Sequence, residues 1–227
     1  SIAIIPARGG SKRIPRKNVK EFCGKPILAY SIQAALDSKM FDAVMVSTDD
    51  EEIAEVAKKY GAEVPFLRSE KTSNDHAIIR DVLLEVLEEY KKLGKDFTEV
   101  CCLLPTAPFI TADDLAESKK MLVGKCTSVL PVVKFSYTIF RSLKMSENGK
   151  VEMFWPENFA KRSQDLPEAF HDAGLFYWYK KAYFEEKIAG FGENTFAYEL
   201  SEMKCQDIDT EDDWKMAELK YKLLNQK

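Results

Sequence analysis

The sequence predicts an α/β fold, a three-layer α/β/α sandwich around a mostly parallel sheet. Two observations carry this expectation. Short apolar runs rich in β-branched residues alternate with longer stretches whose apolar residues recur at helical spacing. The most polar or Pro-rich connections, at 8–18, 47–49 and 105–108, follow the ends of those runs. That is where open α/β sheets hold their ligands.

Residues 2–5 read as a buried strand stopped by Pro6. Pro26 suits the first position of a helix carrying Ile27, Leu28, Tyr30, Ser31, Ala34 and Ala35. Residues 43–47 form a second strand, and Thr48-Asp49-Asp50 signals a helix over 51–60 closed by Gly61. A short third strand is expected at 63–67. The spacing of Val82, Leu83, Val86, Leu87 and Tyr90 then predicts a helix over 76–93. A fourth strand spans 100–104 and a fifth 127–133. Thr111 starts the helix between them, with Leu115, Met121 and Leu122 facing inward. Residues 134–176 break the pattern: they are rich in aromatics, proline and charge, with no clear helix. They read as an inserted arm, 135–175, whose apolar residues call for burial against a second subunit. Strand-like patterns return at 174–179 and 195–200, and 210–224 is a final amphipathic helix.

The 227 residues, 45% of them hydrophobic, suit one domain spanning 1–227 with that insertion. The net charge of −4 argues against a nucleic-acid partner and confines the N-terminal cations to a local anion site. Five cysteines without zinc spacing fit a reducing compartment. No apolar stretch approaches the roughly 18 residues of a membrane span, and the opening run is too short for a signal-peptide core. A cytoplasmic protein without a membrane partner is expected.

Three constellations carry chemistry. The first is 2–18, IAIIPARGGSKRIPRKN, where paired glycines sit among Arg8, Lys12, Arg13, Arg16 and Lys17. Glycines let backbone N–H groups turn toward one anion, and the cations neutralise what remains. Neither the G-x-x-x-x-G-K-[ST] nor the G-x-G-x-x-G pattern is present. The second is Gln206-Asp207-Ile208-Asp209-Thr210. If extended, it sends Asp207 and Asp209 to one face and Ile208 to the core. Two carboxylates on one edge suit Mg²⁺ shared with phosphates. They equally suit a helix cap, with Asp209 or Thr210 as N-cap and Asp213 completing a box. The third, weaker group is Arg162-Ser163-Gln164 with His171-Asp172; an isolated Arg or His on an irregular segment is more often structural.

The chain carrying these constellations resembles a family. IIPARGGSKRIPRKN, residues 4–18, is similar to the N-terminal signature of the acylneuraminate cytidylyltransferases, the CMP-sialate synthetases. LLPTAPF resembles their second nucleotide loop and DIDTEDDW their metal-binding segment. The resemblance spans essentially the whole chain. KNVKEFCGKPILAYSI, VSTDDEEIA, VPFLRSEKTSND, FWPENF and RSQDLPEAFHDAG resemble the branch acting on pseudaminic acid. The resemblance implies a Rossmann-like nucleotidyltransferase sheet with a dimerisation arm. It also implies transfer of CMP from CTP to an acidic nine-carbon sugar, Mg²⁺ (or Mn²⁺) as cofactor, and a homodimer. Arg8, Gly10, Ser11, Lys12 and Lys17 match the loop that holds the CTP phosphates, with Ala7 and Gly9 in the same turn. Asn18 matches a nucleotide contact, Arg68 a position near cytosine and ribose, and Ser73 is grouped with these. Thr106, Arg162, Gln164 and His171 fall in segments that meet the sugar. Asp207 and Asp209 match the metal ligands, and Arg8, Lys12, Lys17 and Asp209 are the expected catalytic set. Two departures stand out. Ile78-Ile79 replace a pair of threonines common in relatives, and Leu104 stands where sialate enzymes commonly have glutamine. Legionaminic acid, sialic acid or Kdo are alternative substrates, and a non-catalytic nucleotide-binding scaffold is the alternative from another class.

Overall fold

The computed structural model describes residues 1–74, 77–185 and 192–226. In chain order the first elements are β1 (Ile2–Pro6), a hairpin of β2 (Glu21–Phe22) and β3 (Lys25–Pro26), α1 (Leu28–Ser38), β4 (Ala43–Ser47) and α2 (Glu51–Lys59). There follow α3 (Glu70–Ser73), α4 (Ile79–Lys92), β5 (Glu99–Leu103), α5 (Ala112–Lys119) and β6 (Ser128–Lys134). The arm contains the hairpin of β7 (Leu143–Met145) and β8 (Val151–Met153), three short 3₁₀ turns, and β9 (Phe170–Asp172). The chain closes with β10 (Phe176–Lys180), α6 (Lys181–Glu185), β11 (Thr195–Glu199) and α7 (Glu211–Leu224).

The main sheet has the order β11-β6-β10-β5-β1-β4, with β9 added on β6. β1 pairs parallel with both β4 and β5, and β6 pairs parallel with β11. β10 runs antiparallel between β5 and β6 and β9 runs antiparallel to β6, so the sheet is mostly parallel with two reversed strands. Consecutive residues of β1 point to opposite faces. Ala3 and Ile5 join one core with Leu28 and Ile32 of α1, Ile53 of α2, Leu115 of α5 and the buried Trp178. Ile2 and Ile4 join the other with Leu83, Val86 and Tyr90 of α4. These are the two helix layers of the expected sandwich.

Three expectations are corrected. Residues 63–67 form no strand: Glu63 makes a single bridge to Met45, and Pro65, lacking an N–H, cannot extend a ladder. Pro26 ends β3 and does not open α1, because Cys23 (φ 45°) and Gly24 (φ 98°) turn the chain back and pair Lys25-Pro26 with Glu21-Phe22. The helix expected over 76–93 begins at Ile79, with Ile78 extended as its N-cap. His76 lies outside the described residues. The helix starts at Asp50 and Thr111 hold: both side chains cap, and Thr111 forms a capping box with Asp114.

Candidate active site

Five strands end on the same side of the sheet, and the loop after β1 lies there. Ala7 is buried and donates its N–H to the Ser47 carbonyl (2.9 Å), carrying the β1–β4 ladder one step past the strand. The Gly9 N–H is taken by Asp49 Oδ1 at 2.9 Å. A Cβ on Gly9 would lie 2.7 Å from Asp50 Oδ2, so this glycine is required by close approach of a carboxylate. A Cβ on Gly10 would meet open space. Buried Asn18 donates to the Arg8 carbonyl at 3.0 Å and ties the two ends of the loop together. Arg16 has left-handed backbone (φ 54°), and its guanidinium binds Asp50 at 2.5 and 3.0 Å and also Glu52. Asp50 in turn caps α2 through the Ile53 N–H at 3.0 Å. The Arg16 guanidinium holds the Asp50 carboxyl below its ordinary value, against an opposing effect of burial.

The distal aspartates reach this loop because their hydrophobic neighbours share a core. Ile14, in the loop, and Ile208, between the aspartates, are both buried in a third cluster with Phe22, Ile27, Tyr30, Phe109 and Trp214. Its aromatic rings meet edge to face: Phe22 lies 5.5 Å from Tyr30, and 5.6 Å from both Trp214 and Tyr221. With Ile208 inward, Asp207 is exposed and Asp209 half-buried. Lys17 Nζ donates to the Ile208 carbonyl at 2.7 Å and stands 3.5 Å from Asp209 Oδ1. Arg13 pairs with Asp209 Oδ2 at 2.5 Å. The cap of α7 is Thr210, in a capping box with Asp213. Thr210 thus does the capping, and the Asp209 carboxylate faces the cations.

Two clefts adjoin at Leu104. The first, about 380 Å³, is lined by Arg8, Ser11, Lys12, Lys17, Asn18 and Thr106 among others. The second, about 450 Å³, is lined by His171, Asp172, Gln206, Asp207 and Lys220, with Glu202 and Cys205. The structure thus gathers Arg8, Ser11, Lys12, Lys17 and Asn18 of the expected phosphate and nucleotide residues in one cleft, and the metal candidate Asp207 with His171 in its neighbour. Thr106, expected near the sugar, lies in the cation-lined cleft. Arg68 is buried behind β4, with Nε on Ser47 Oγ (3.0 Å) and Nη2 on the Ser47 carbonyl (2.5 Å). Burial lowers its pKa. Ser73 bonds the Ser69 carbonyl at 2.7 Å, and Arg162 forms a fork with Asp165 at 2.7 and 3.0 Å. Ser73, Arg162 and Gln164 line neither cleft.

Sequence reasoning left three contributors without a role. Arg13 pairs with Asp209, Arg16 locks the loop to α2, and Asp172 is held by Tyr177. Arg13 and Arg16 carried a signal as members of the cation cluster. Their partners lie 34 to 196 positions away, and nothing local marks them.

Among the described residues no group of three or more His, Cys, Asp or Glu forms a metal cage. Asp207 lines the second cleft and Asp209, two residues on, faces Arg13 and Lys17; two carboxylates at positions i and i+2 beside these cations are still a fitting donor set for Mg²⁺. That ion commonly takes one or two carboxylates and completes its shell with phosphate oxygens and water.

A mostly parallel nucleotide-type sheet with a cationic turn facing an acidic edge defines a phosphoryl-handling enzyme class. The chain belongs to the cytidylyltransferase family, whose model matches residues 2–227. It is 42% identical over 225 residues to a pseudaminic acid cytidylyltransferase of Campylobacter jejuni, covering 98% of this chain and 97% of that protein. It is 32% identical to the CMP-N,N'-diacetyllegionaminic acid synthase of Legionella pneumophila, covering 99% of this chain and 97% of the relative. In fold it is similar to a CMP:2-keto-3-deoxy-manno-octonic acid synthetase solved with CTP, at TM-score 0.73, 16% identity and 98% coverage of both chains. Among the described residues no helix is long and apolar enough to cross a membrane.

Proposed function

We propose that this chain transfers CMP from CTP to the anomeric hydroxyl of pseudaminic acid, releasing pyrophosphate. The observation that carries the reading is the ion pairing of Arg13 and Lys17 with Asp209, beside a cation-lined cleft whose neighbour is lined by Asp207. The identity to the Campylobacter jejuni relative favours pseudaminic over legionaminic acid.

In this reaction the sugar hydroxyl oxygen forms a bond to the α-phosphorus. The bond from that phosphorus to the bridging oxygen breaks, pyrophosphate keeps the electron pair, and the hydroxyl proton passes to water. The protein's part is to position and to neutralise charge. Lys12, Lys17 and the Gly10 end of the turn would receive the leaving phosphates, and Arg8 would orient the triphosphate. A triphosphate competes with Asp209 for Lys17 and Arg13, so substrate binding would release the carboxylate. Asp209 and Asp207 would hold Mg²⁺ (or Mn²⁺), which when bound neutralises the α-phosphate and lowers the pKa of the attacking hydroxyl. His171 in the second cleft would meet the sugar. Arg162 and Gln164 would join it only if the arm brings them there from a second subunit.

A homodimer is part of the proposal, supported by the apolar arm. Tyr137, Met145 and Phe159 are 84%, 75% and 74% exposed, too much for one subunit to leave in water without purpose. A cytoplasmic setting is supported by the five free cysteines. The deciding experiment measures pyrophosphate release with CTP, Mg²⁺ and a panel of pseudaminic, legionaminic and sialic acids and Kdo. Turnover highest with pseudaminic acid is expected. Preference for another sugar would reassign the substrate, and CTP binding without turnover of any of them would favour a scaffold.

A further inference from the structure

Asp172 closes β9 and lines the second cleft beside His171, Asp207 and Lys220. The reaction just described assigns it nothing. Its carboxylate is nonetheless held firmly. Oδ1 accepts the Gly174 N–H at 2.8 Å, and Oδ2 accepts the Tyr177 hydroxyl at 2.9 Å. Gly174 makes the first bond possible by its left-handed backbone (φ 63°). The Tyr177 ring packs against the core on the α4 side of the sheet. Burial and the Asp172 charge raise the pKa of its hydroxyl, which therefore keeps the proton it donates.

Each carboxylate oxygen can accept more than one hydrogen bond, so both retain capacity toward the cleft. An ordinary exposed aspartate rotates freely. This one is anchored at two points on the β9–β10 turn, against the strand ends. The neighbouring Lys220 ammonium is occupied by the Cys205 carbonyl at 2.8 Å, with the Glu202 carbonyl at 3.3 Å. Asp172 is not part of any group of three or more potential metal ligands among the described residues. What an acceptor-only group fixed in a sugar-sized cleft recognises is a hydrogen-bond donor. It also repels the sugar's own carboxylate, which restricts the orientation of the substrate.

We propose that Asp172 is a specificity residue that accepts a hydrogen bond from an acylamino N–H or a hydroxyl of the acidic sugar, with Tyr177 as its positioning residue. The inference rests on the acidic-sugar reading above. It is tested by steady-state pyrophosphate release with pseudaminic acid for the wild type, Asp172→Ala and Tyr177→Phe, with melting temperatures measured alongside. Asp172→Ala should raise KM for the sugar about tenfold, the equivalent of one hydrogen bond worth about 1.4 kcal/mol. KM for CTP should stay unchanged, while the melting temperature falls modestly because the Gly174 N–H and the Tyr177 hydroxyl lose their acceptor. Tyr177→Phe should raise the sugar KM by a smaller factor, because it frees the carboxylate without removing it. Repeating the comparison with a sugar analogue lacking the acylamino group separates the donors. The difference between wild type and Asp172→Ala disappears if the N–H is read and persists if a hydroxyl is read. An unchanged sugar KM in both Asp172→Ala and Tyr177→Phe, or an equal rise in KM for CTP, overturns the inference while leaving the function standing. Absence of wild-type turnover with any acidic sugar overturns both.

Discussion

At the scale of single residues, the site depends on charges that neutralise one another before substrate arrives. Asp209 is covered by Arg13 and Lys17. Asp209→Asn should lower kcat at saturating Mg²⁺ by about two orders of magnitude or more, the scale of removing one charge-stabilising group from a transition state. A near-wild-type rate would remove Asp209 from the metal site. Lys17→Ala should raise the apparent KM for CTP while the melting temperature changes little, since Lys17 is a partly exposed side chain and its ion pairs contribute little to stability. An unchanged KM would refute the phosphate role. Asp50 carries a pH signature. Its folded pKa is depressed, so its contribution to stability is complete above the unfolded value near 3.9 and lost as pH falls through the folded value. Melting curves of wild type and Asp50→Asn should differ by a constant amount above about pH 5, begin to approach each other as pH falls below the unfolded value near 3.9, and converge only below the depressed folded value. The buried thiols carry another. Burial pushes Cys102 up to about 12 and Cys101 well above its usual range, while Cys23 and Cys205 are half-exposed. Thiol reagents should modify Cys23 and Cys205 in the native protein and reach Cys101 and Cys102 only on unfolding. The residue types in the turn after β1 were legible as an anion site. The partners that hold each cation were not, because an ion pair between distant positions leaves no local pattern.

At the scale of elements, helix starts were the most readable feature, since caps are local chemistry. Asp50, Thr111 and Thr210 each satisfy a backbone N–H three residues ahead. Thr210→Ala should lower stability by about 1 kcal/mol, seen as a melting shift of roughly 2–4 °C in a chain of this size. It should leave the KM for CTP intact, because the cap and the Asp209 carboxylate are separate groups. The short β-elements were less readable. The 63–67 run has strand composition, yet Pro65 limits it to one bridge. The 174–179 run reads as a strand, but its reversal between β5 and β6 depends on pairing partners, and apolar content does not encode direction.

At the scale of the whole molecule, the site exists because Ile14 and Ile208 are buried in one cluster. Ile208→Ala should destabilise the protein by about 2–5 kcal/mol. Below its melting point it should also raise the KM for CTP, since Asp207 and Asp209 lose the anchor between them. Wild-type catalytic constants in a folded Ile208→Ala protein would show that the cluster supports stability alone. The arm makes the corresponding prediction for assembly. Replacing Tyr137, Met145 and Phe159 together with aspartate should convert a dimer to a monomer in light scattering at unchanged thermal stability of the core. A wild-type protein that is already monomeric would exclude the dimer.

The amino-acid order by itself determined the alternating α/β architecture, the cationic turn, the helix start at Thr210 and the family resemblance. All of these are written in neighbouring residues, through periodicity, turn chemistry and charge clustering. Only the tertiary structure decided that Thr210 caps α7 while Asp209 meets Arg13 and Lys17. Only it showed Gly9 shaped by the approach of Asp50, β10 reversed, and Asp172 clamped by Tyr177 over the second cleft. The physical reason is the same in each case. These contacts are selected by which apolar surfaces are buried together, and that is a property of the packed chain rather than of any stretch of it.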